Sequence, residues 1–275
     1  MADTEIDVCF NKIMTSDVLF YGDAFKEDCK AFCSKRNITY LPSGNDSNVC
    51  YKLDGNEFKK KGIEESQRVK VTDKIFGNSV LDKFRRHGVL FVYRSNKIAG
   101  VVHFCDYNRD PVFLNVYPLL LQFERELRKL LISHGLTNED MIEFFKNHSG
   151  KEHYLEKFEY YTSEKIQKGM KELEPFQAFD LKDLIGLVNS KKILRIPQNI
   201  CDLRNHIMHV KNIVKHKNYK ISSLIYSFES FDWFFSLIRN IGREIERVSK
   251  AILPLKEEEE VTKLRKAGLF RHIRR

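Results

Sequence analysis

Residues 89–131 read VLFVYRSNKIAGVVHFCDYNRDPVFLNVYPLLLQFERELRKLL, and the hydrophobic period changes part-way along them. Val89-Leu-Phe-Val-Tyr93 and Ile98-Ala-Gly-Val-Val-His-Phe104 are apolar runs on either side of Ser95-Asn96-Lys97, which predicts two strands joined by a turn. From about Val112 the spacing becomes helical. Phe113, Val116, Leu120, Phe123, Leu127, Leu130 and Leu131 line one face, with Glu124, Arg125, Glu126 and Arg128 largely on the other. The change predicts an α+β chain: an N-terminal α/β module over residues 1–111, an all-α helical bundle over 112–253, and a charged tail over 254–275.

Upstream, Asp23 to Arg36 places Phe25, Cys29, Phe32 and Cys33 at helical spacing, and Ile38-Thr-Tyr-Leu41 predicts a strand. Pro42-Ser-Gly-Asn-Asp-Ser47 has turn chemistry, and Val49 to Leu53 predicts a strand entering the tight turn Asp54-Gly55. After a polar stretch, Asn78 to Arg86 predicts a helix capped by Asn78 or Ser79. The order helix, strand, turn, strand thus occurs twice. Downstream, helices are expected over Asn138–His148, Phe179–Val188, Pro197–Val214 and Ser222–Ile252, with Glu152–Leu173 as a charged helical insertion and Pro197 in a first turn. Phe228, Phe231, Phe235, Ile238, Ile245, Val248 and Ile252 form a stripe of the kind that builds a core or a subunit interface.

The 275 residues suffice for two domains that each bury a core. With 42% hydrophobic and 31% charged residues, the chain reads as a soluble globular protein rather than a disordered or membrane one. The opening residues lack the basic stretch and apolar run of a secretory signal, and no apolar run reaches membrane-spanning length, so a cytoplasmic location is expected. A formal charge of +9 favours polyanionic partners. The tail ends Arg-His-Ile-Arg-Arg and reads as a solvated end rather than a nucleic-acid arm. The six cysteines have no Cys-x-x-Cys pair; Cys29 and Cys33, four apart on a helix, read as buried reduced thiols rather than a metal or disulfide pair.

The segment from Asn78 through Arg-His-Gly-Val-Leu-Phe-Val-Tyr and Lys-Ile-Ala-Gly-Val-Val-His to Asp106 resembles a CBS (cystathionine β-synthase) domain over residues 70 to 115. Residues 15 to 60 follow the same pattern as a first copy. Gly100, Val101, Val102 and Asp106 fit the family's strand-end motif, and His103 stands where a hydroxyl residue is expected. The resemblance implies a tandem module that binds an adenosine nucleotide, with Asp106 accepting ribose hydroxyls. The residues by themselves equally allow a dimerisation or spacing module in which Asp106 caps the following segment.

On the penultimate expected helix stands Leu203-Arg204-Asn205-His206-Ile207-Met208-His209. At about 100° per residue, Asn205 and His209 lie one turn apart on one face, whereas Arg204 points about 140° from His209 and must bend its side chain round. One helix alone makes a loose site. Read without any resemblance, Arg204 paired with Asp202 or another acid, and His209 as a satisfied, partly buried histidine, are the more frequent outcome. Zinc binding by His206 and His209 is weaker, because no third ligand with suitable spacing is nearby.

Arg, a polar residue, three more residues and His, on a helix between two long amphipathic helices, resemble the signature of HEPN domains over residues 112 to 253. The resemblance implies a four-helix core that dimerises through these helices and brings two motifs to one phosphodiester. It implies a metal-independent endoribonuclease in which Arg204, Asn205 and His209 are catalytic and His206 supports them. RNA is then the substrate, the homodimer carries a composite site, and catalysis requires no cofactor. Toxin or antiviral defence, with an antitoxin as partner, is the implied setting. Histidine suits proton transfer near neutrality, and a guanidinium fork matches phosphate oxygens. A non-catalytic HEPN module that binds RNA or a protein, and a nucleotide sensor whose helical half only dimerises, are the rival functions. Arg239-Asn240 is an internal control, with Glu244 where a histidine would stand.

Overall fold

The computed structural model of the chain describes residues 6–208, 214–216, 219–221, 225 and 227–253; the charged tail over 254–275 lies outside them. The chain is mixed α+β. It divides into two compact units, Met1–Tyr117 with His206–Arg239 and Pro118–Asn205 with Asn240–Arg275, so each unit is built from two separate stretches of sequence.

In the first unit, helix α1 (Lys26–Arg36) ends at Asn37, whose φ of 53° is the left-handed conformation that closes helices. It leads into an antiparallel sheet of β1 (Tyr40–Pro42), β2 (Val49–Asp54) and β3 (Glu57–Gly62), with Gly55 at φ 59° in the β2–β3 turn. A second sheet holds β4 (Arg68–Lys70), β5 (Val89–Arg94) and β6 (Lys97–His103). Strand β4 runs parallel to β5, so α2 (Val80–His87) is the crossover helix of a βαβ unit, while β6 returns antiparallel. Ser95 and Asn96, at φ 47° and 67°, give the turn the twist that a two-residue hairpin needs.

The twice-repeated order of helix, strand and strand is therefore present, and β3 and β4 are additions to it. Five of the six β3 residues are exposed, so Glu57-Phe-Lys-Lys-Lys-Gly62 carries no apolar alternation to announce a strand. Cys50 from the first sheet and Ile63, the residue after β3, pack in one cluster with Phe91 and Tyr93 from the second. A separate aromatic core joins Phe84 and Tyr107 to Phe231, with ring centroids 5.2 Å apart for Phe84–Phe231 and 4.9 Å for Tyr107–Phe231. The Asn108 amide clasps the Ile225 backbone, accepting from its N–H at 2.8 Å and donating to its carbonyl at 2.7 Å.

Helix α3 (Asp110–Ser133) follows the expected stripe, and Val116, Phe123, Leu127, Leu130 and Leu131 are fully buried. The second unit takes its C-terminal part together with α4 (Asn138–Asn147), α5 (Glu152–Thr162), α6 (Glu164–Met170), α7 (Leu181–Ser190) and most of α8 (Asn199–Met208). The expected single insertion over 152–173 breaks at Ser163, whose extended backbone (φ −65°, ψ 139°) ends α5 and caps α6. Gly186 lets α7 approach α4, since a Cβ there would meet Phe144 at 2.9 Å.

The helix expected over Pro197–Val214 is shorter. Pro197 precedes the first turn, and Val214 stands in β7 (Val214–His216), which pairs antiparallel with β8 (Tyr219–Ile221). Both segments place an apolar residue two positions from another side chain across a lysine, a period-two signal that the helical reading passed over. Helix α9 (Phe228–Ala251) starts later than expected, after Ser227 and Ser230 exchange backbone-to-hydroxyl hydrogen bonds of 3.0 and 3.2 Å.

Candidate functional site

Helix α8 is set by the segment before it. The Asn189 side chain accepts from the Ile196 N–H at 2.7 Å and donates to the Ile196 carbonyl at 3.0 Å, and Arg247 donates to the Arg195 carbonyl. Ile200, Leu203 and Ile207 recur at helical spacing and are buried, so the helix turns one face inward. Asp202 and Asn205 are exposed, and Arg204 is half-buried beside them. The Arg204 Nη1 lies 3.4 Å from the Asn205 Oδ1, a long contact that holds the guanidinium near the amide. A guanidinium next to an amide can bind an oxyanion.

His209 lies outside the described residues, as does the side chain of His206, so the histidine part of the expected constellation is not placed. Neighbouring Cys201 is buried, and burial, with the Asp202 charge adding to it, pushes its thiol up to about 11. At neutral pH that thiol is protonated and is no nucleophile. The Arg239-Asn240 pair is employed otherwise: Arg239 donates to the Asn78 Oδ1 at 2.8 Å, and Glu244 binds Arg247 at 3.0 Å.

In the first unit, Asp106 sits in a 3₁₀ turn (Phe104–Asn108) at the end of β6. Its Oδ2 accepts from the His103 N–H at 2.8 Å, its Oδ1 pairs with Arg109 at 2.7 Å, and the side chain is 18% exposed. His103 completes the cap, its Nδ1 accepting from the Cys105 N–H at 3.3 Å. Both oxygens of the expected ribose acceptor are therefore engaged in closing this turn. Cys29 and Cys33 are buried free thiols, and burial pushes the Cys33 thiol up. Among the described residues no group of three His, Cys, Asp or Glu side chains converges on a metal-sized site.

Two features escaped the sequence reading. Asp183 on α7 is buried against Lys157 of α5, and only the Asp180-x-x-Asp183 capping pattern hints at it. The other is a cluster of cations around β4 and β5, hidden because β4 has three residues and no periodicity. Comparison of the chain with protein-family profiles, with curated proteins and with solved structures finds no match.

Proposed function

We propose that the chain is a metal-independent endoribonuclease of the HEPN type, with Arg204, Asn205 and His209 as its working residues. The observation that carries the reading is the placement of Arg204 and Asn205 in contact on α8, with Asn205 exposed and Arg204 half-buried at the edge of the Ile200, Leu203 and Ile207 face. Membership of parts of α3, α8 and α9 and of α7 in the second unit, each with buried apolar residues such as Phe123, Leu184, Leu203 and Ile245, is compatible with this reading.

In this mechanism His209 removes the proton of the ribose 2′-hydroxyl, the 2′-oxygen attacks phosphorus, and the bond to the 5′-oxygen breaks as that oxygen receives a proton. The Arg204 fork stabilises the charge on the non-bridging oxygens, and Asn205 orients the histidine or the substrate. One protomer supplies too little for both proton transfers, so two copies face one phosphodiester in a homodimer. The products are a 2′,3′-cyclic phosphate and a 5′-hydroxyl.

A regulatory adenosine nucleotide belongs to the first unit in this reading. For Asp106 to take a ribose hydroxyl it must give up Arg109 or the His103 N–H. We place the protein in the cytoplasm, in toxin or antiviral defence, with an antitoxin as candidate partner; among the described residues no helix is long and apolar enough to cross a membrane.

The deciding experiment incubates RNA and DNA with wild type, Arg204→Ala and His209→Ala proteins. Cleavage of RNA alone by wild type, with cyclic phosphate ends and a loss of at least a hundredfold in either variant, is expected. Equal cleavage by all three, or none by any in the presence of candidate nucleotides, overturns the reading.

A further inference from the structure

We propose that the first unit binds a small anion carrying two or more phosphate groups, in the cleft at the carboxyl ends of the parallel strands β4 and β5. This inference does not rest on the nuclease reading, and it locates the anion away from Asp106. The cleft encloses about 550 Å³, within the roughly 300–1,000 Å³ of small-molecule sites. Four cations line it: Arg68, Lys70, Lys83 and Arg94. Parallel strands joined through a helix leave a crevice beyond their carboxyl ends, where ligands of α/β units commonly bind. Here Lys70 to Asp73 and Tyr93 to Asn96 are those ends, and Lys83 reaches in from the crossover helix α2.

Two carboxylates, Glu65 and Asp73, also line the cleft, so its four cations leave a formal excess of two positive charges, and Glu65 pairs at long range with Arg68. Asp73 spends its Oδ2 on the Lys70 backbone N–H at 2.7 Å, and Glu65, whose side chain is 90% exposed, stands 3.7 Å from the Arg68 Nε, beyond hydrogen-bond length. The Arg68 Nε is buried and has no hydrogen-bond partner among the described residues. The guanidinium is nonetheless fixed, since Arg68 donates to the Ile63 carbonyl at 2.9 Å and lies over the Tyr93 ring at 5.3 Å. Lys83 is fixed by the Arg68 carbonyl at 2.6 Å, which uses one of its three N–H donors. Lys70 and Arg94 are exposed and form no ion pair among the described residues.

Two anchored cations at the wall and two unpaired ones at the rim concentrate positive potential in a recess with a partly apolar floor of Val69 and Val71. A multiply charged phosphate fits that distribution, because its oxygens accept from both the fixed and the free donors. A second hollow shares Val69, Asp73 and Lys83 and is lined further by Gly77–Val80 at the start of α2.

The test is titration calorimetry on the full chain with inorganic pyrophosphate, adenosine diphosphate and guanosine diphosphate, each separately. Binding of pyrophosphate, weakened at least tenfold in Lys70→Glu/Arg94→Glu and unchanged in Arg204→Ala, is the expected result. Selective tightening by one nucleoside diphosphate supports the site and identifies a base contribution. The double variant exchanges only exposed side chains, so an unchanged melting temperature separates lost binding from lost folding. Absence of binding by all three probes, or binding insensitive to the double variant, overturns the proposal. So does a single-stranded RNA oligonucleotide that needs Lys70 and Arg94 while no small anion binds, which reassigns the surface to RNA.

Discussion

The ammonium of Lys157 on α5 lies 2.7 and 2.6 Å from the two carboxylate oxygens of Asp183 on α7, and Asp183 is only 1% exposed. Burial works against the charge of Lys157, but the hydrogen bond and charge of Asp183 outweigh it and hold the ammonium above its ordinary pKa. Lys157→Met leaves a buried carboxylate without its cation and is expected to cost about 3–5 kcal/mol in urea unfolding. Restoring an apolar match with Lys157→Met/Asp183→Leu recovers most of that loss. A single variant as stable as wild type contradicts this account of the pair.

Gly100 in β6 is required by a close backbone approach. A Cβ there would stand 2.7 Å from the Thr15 carbonyl oxygen and 2.9 Å from the Met14 Sδ, where residue 15 pairs with Val101. Gly100→Ala should therefore destabilise the protein by about 1–3 kcal/mol, as overpacking does. Gly62→Ala in β3 meets nothing within 4 Å and serves as the neutral comparison. Similar thermal midpoints for the two variants contradict the prediction.

His103 should make stability depend on pH. Burial pushes its imidazole below the ordinary histidine value, while the Asp106 charge opposes the shift. A depressed pKa means that the folded state prefers the neutral ring, whose Nδ1 accepts from Cys105. The contribution is fully present above about pH 6.5 and is lost as pH falls through the lower, folded value. His87 is depressed by burial in the same way, so wild type carries both contributions. His103→Asn keeps a capping acceptor without titrating, and unfolding curves from pH 7.5 to 5 should show a shallower decline in that variant. An identical decline excludes His103 as a contributor.

Gln67, in the 3₁₀ turn Glu65–Gln67, is 1% exposed, and neither its amide oxygen nor its nitrogen has a hydrogen-bond partner among the described residues. Replacing an unsatisfied buried amide with the similarly shaped Gln67→Met should raise stability by about 1–2 kcal/mol. A lowered melting temperature counts against that description of the turn.

What the sequence discloses follows how strongly burial is written into it. The α3 stripe from Val116 to Leu131 and the β5–β6 hairpin around Ser95-Asn96 are visible because one face is apolar and the turn needs special backbone angles. Strand β3 was hidden because an exposed lysine-rich edge has no apolar face to repeat. The limits of α8 were misjudged because apolar residues recur at helical spacing at Ile207, Val210 and Val214, the last of which stands in β7. At the candidate site, the motif placed Arg204 and Asn205 on one helix, and α8 does carry both. The anion cleft had no such trace, since its four cations come from two strands and a helix that only tertiary folding brings together.

The Asn108–Ile225 clasp and the Phe84–Tyr107–Phe231 core also bear on how the protein is made. Their partners are separated by more than a hundred positions, and in synthesis the earlier ones leave the ribosome long before the later ones exist. Until Phe231 arrives, Phe84 and Tyr107 have only part of their cover, and closing so long a loop slows assembly. The N-terminal segment therefore waits, incompletely packed, for the rest of the chain, and a fragment that stops at residue 111 should be prone to aggregation.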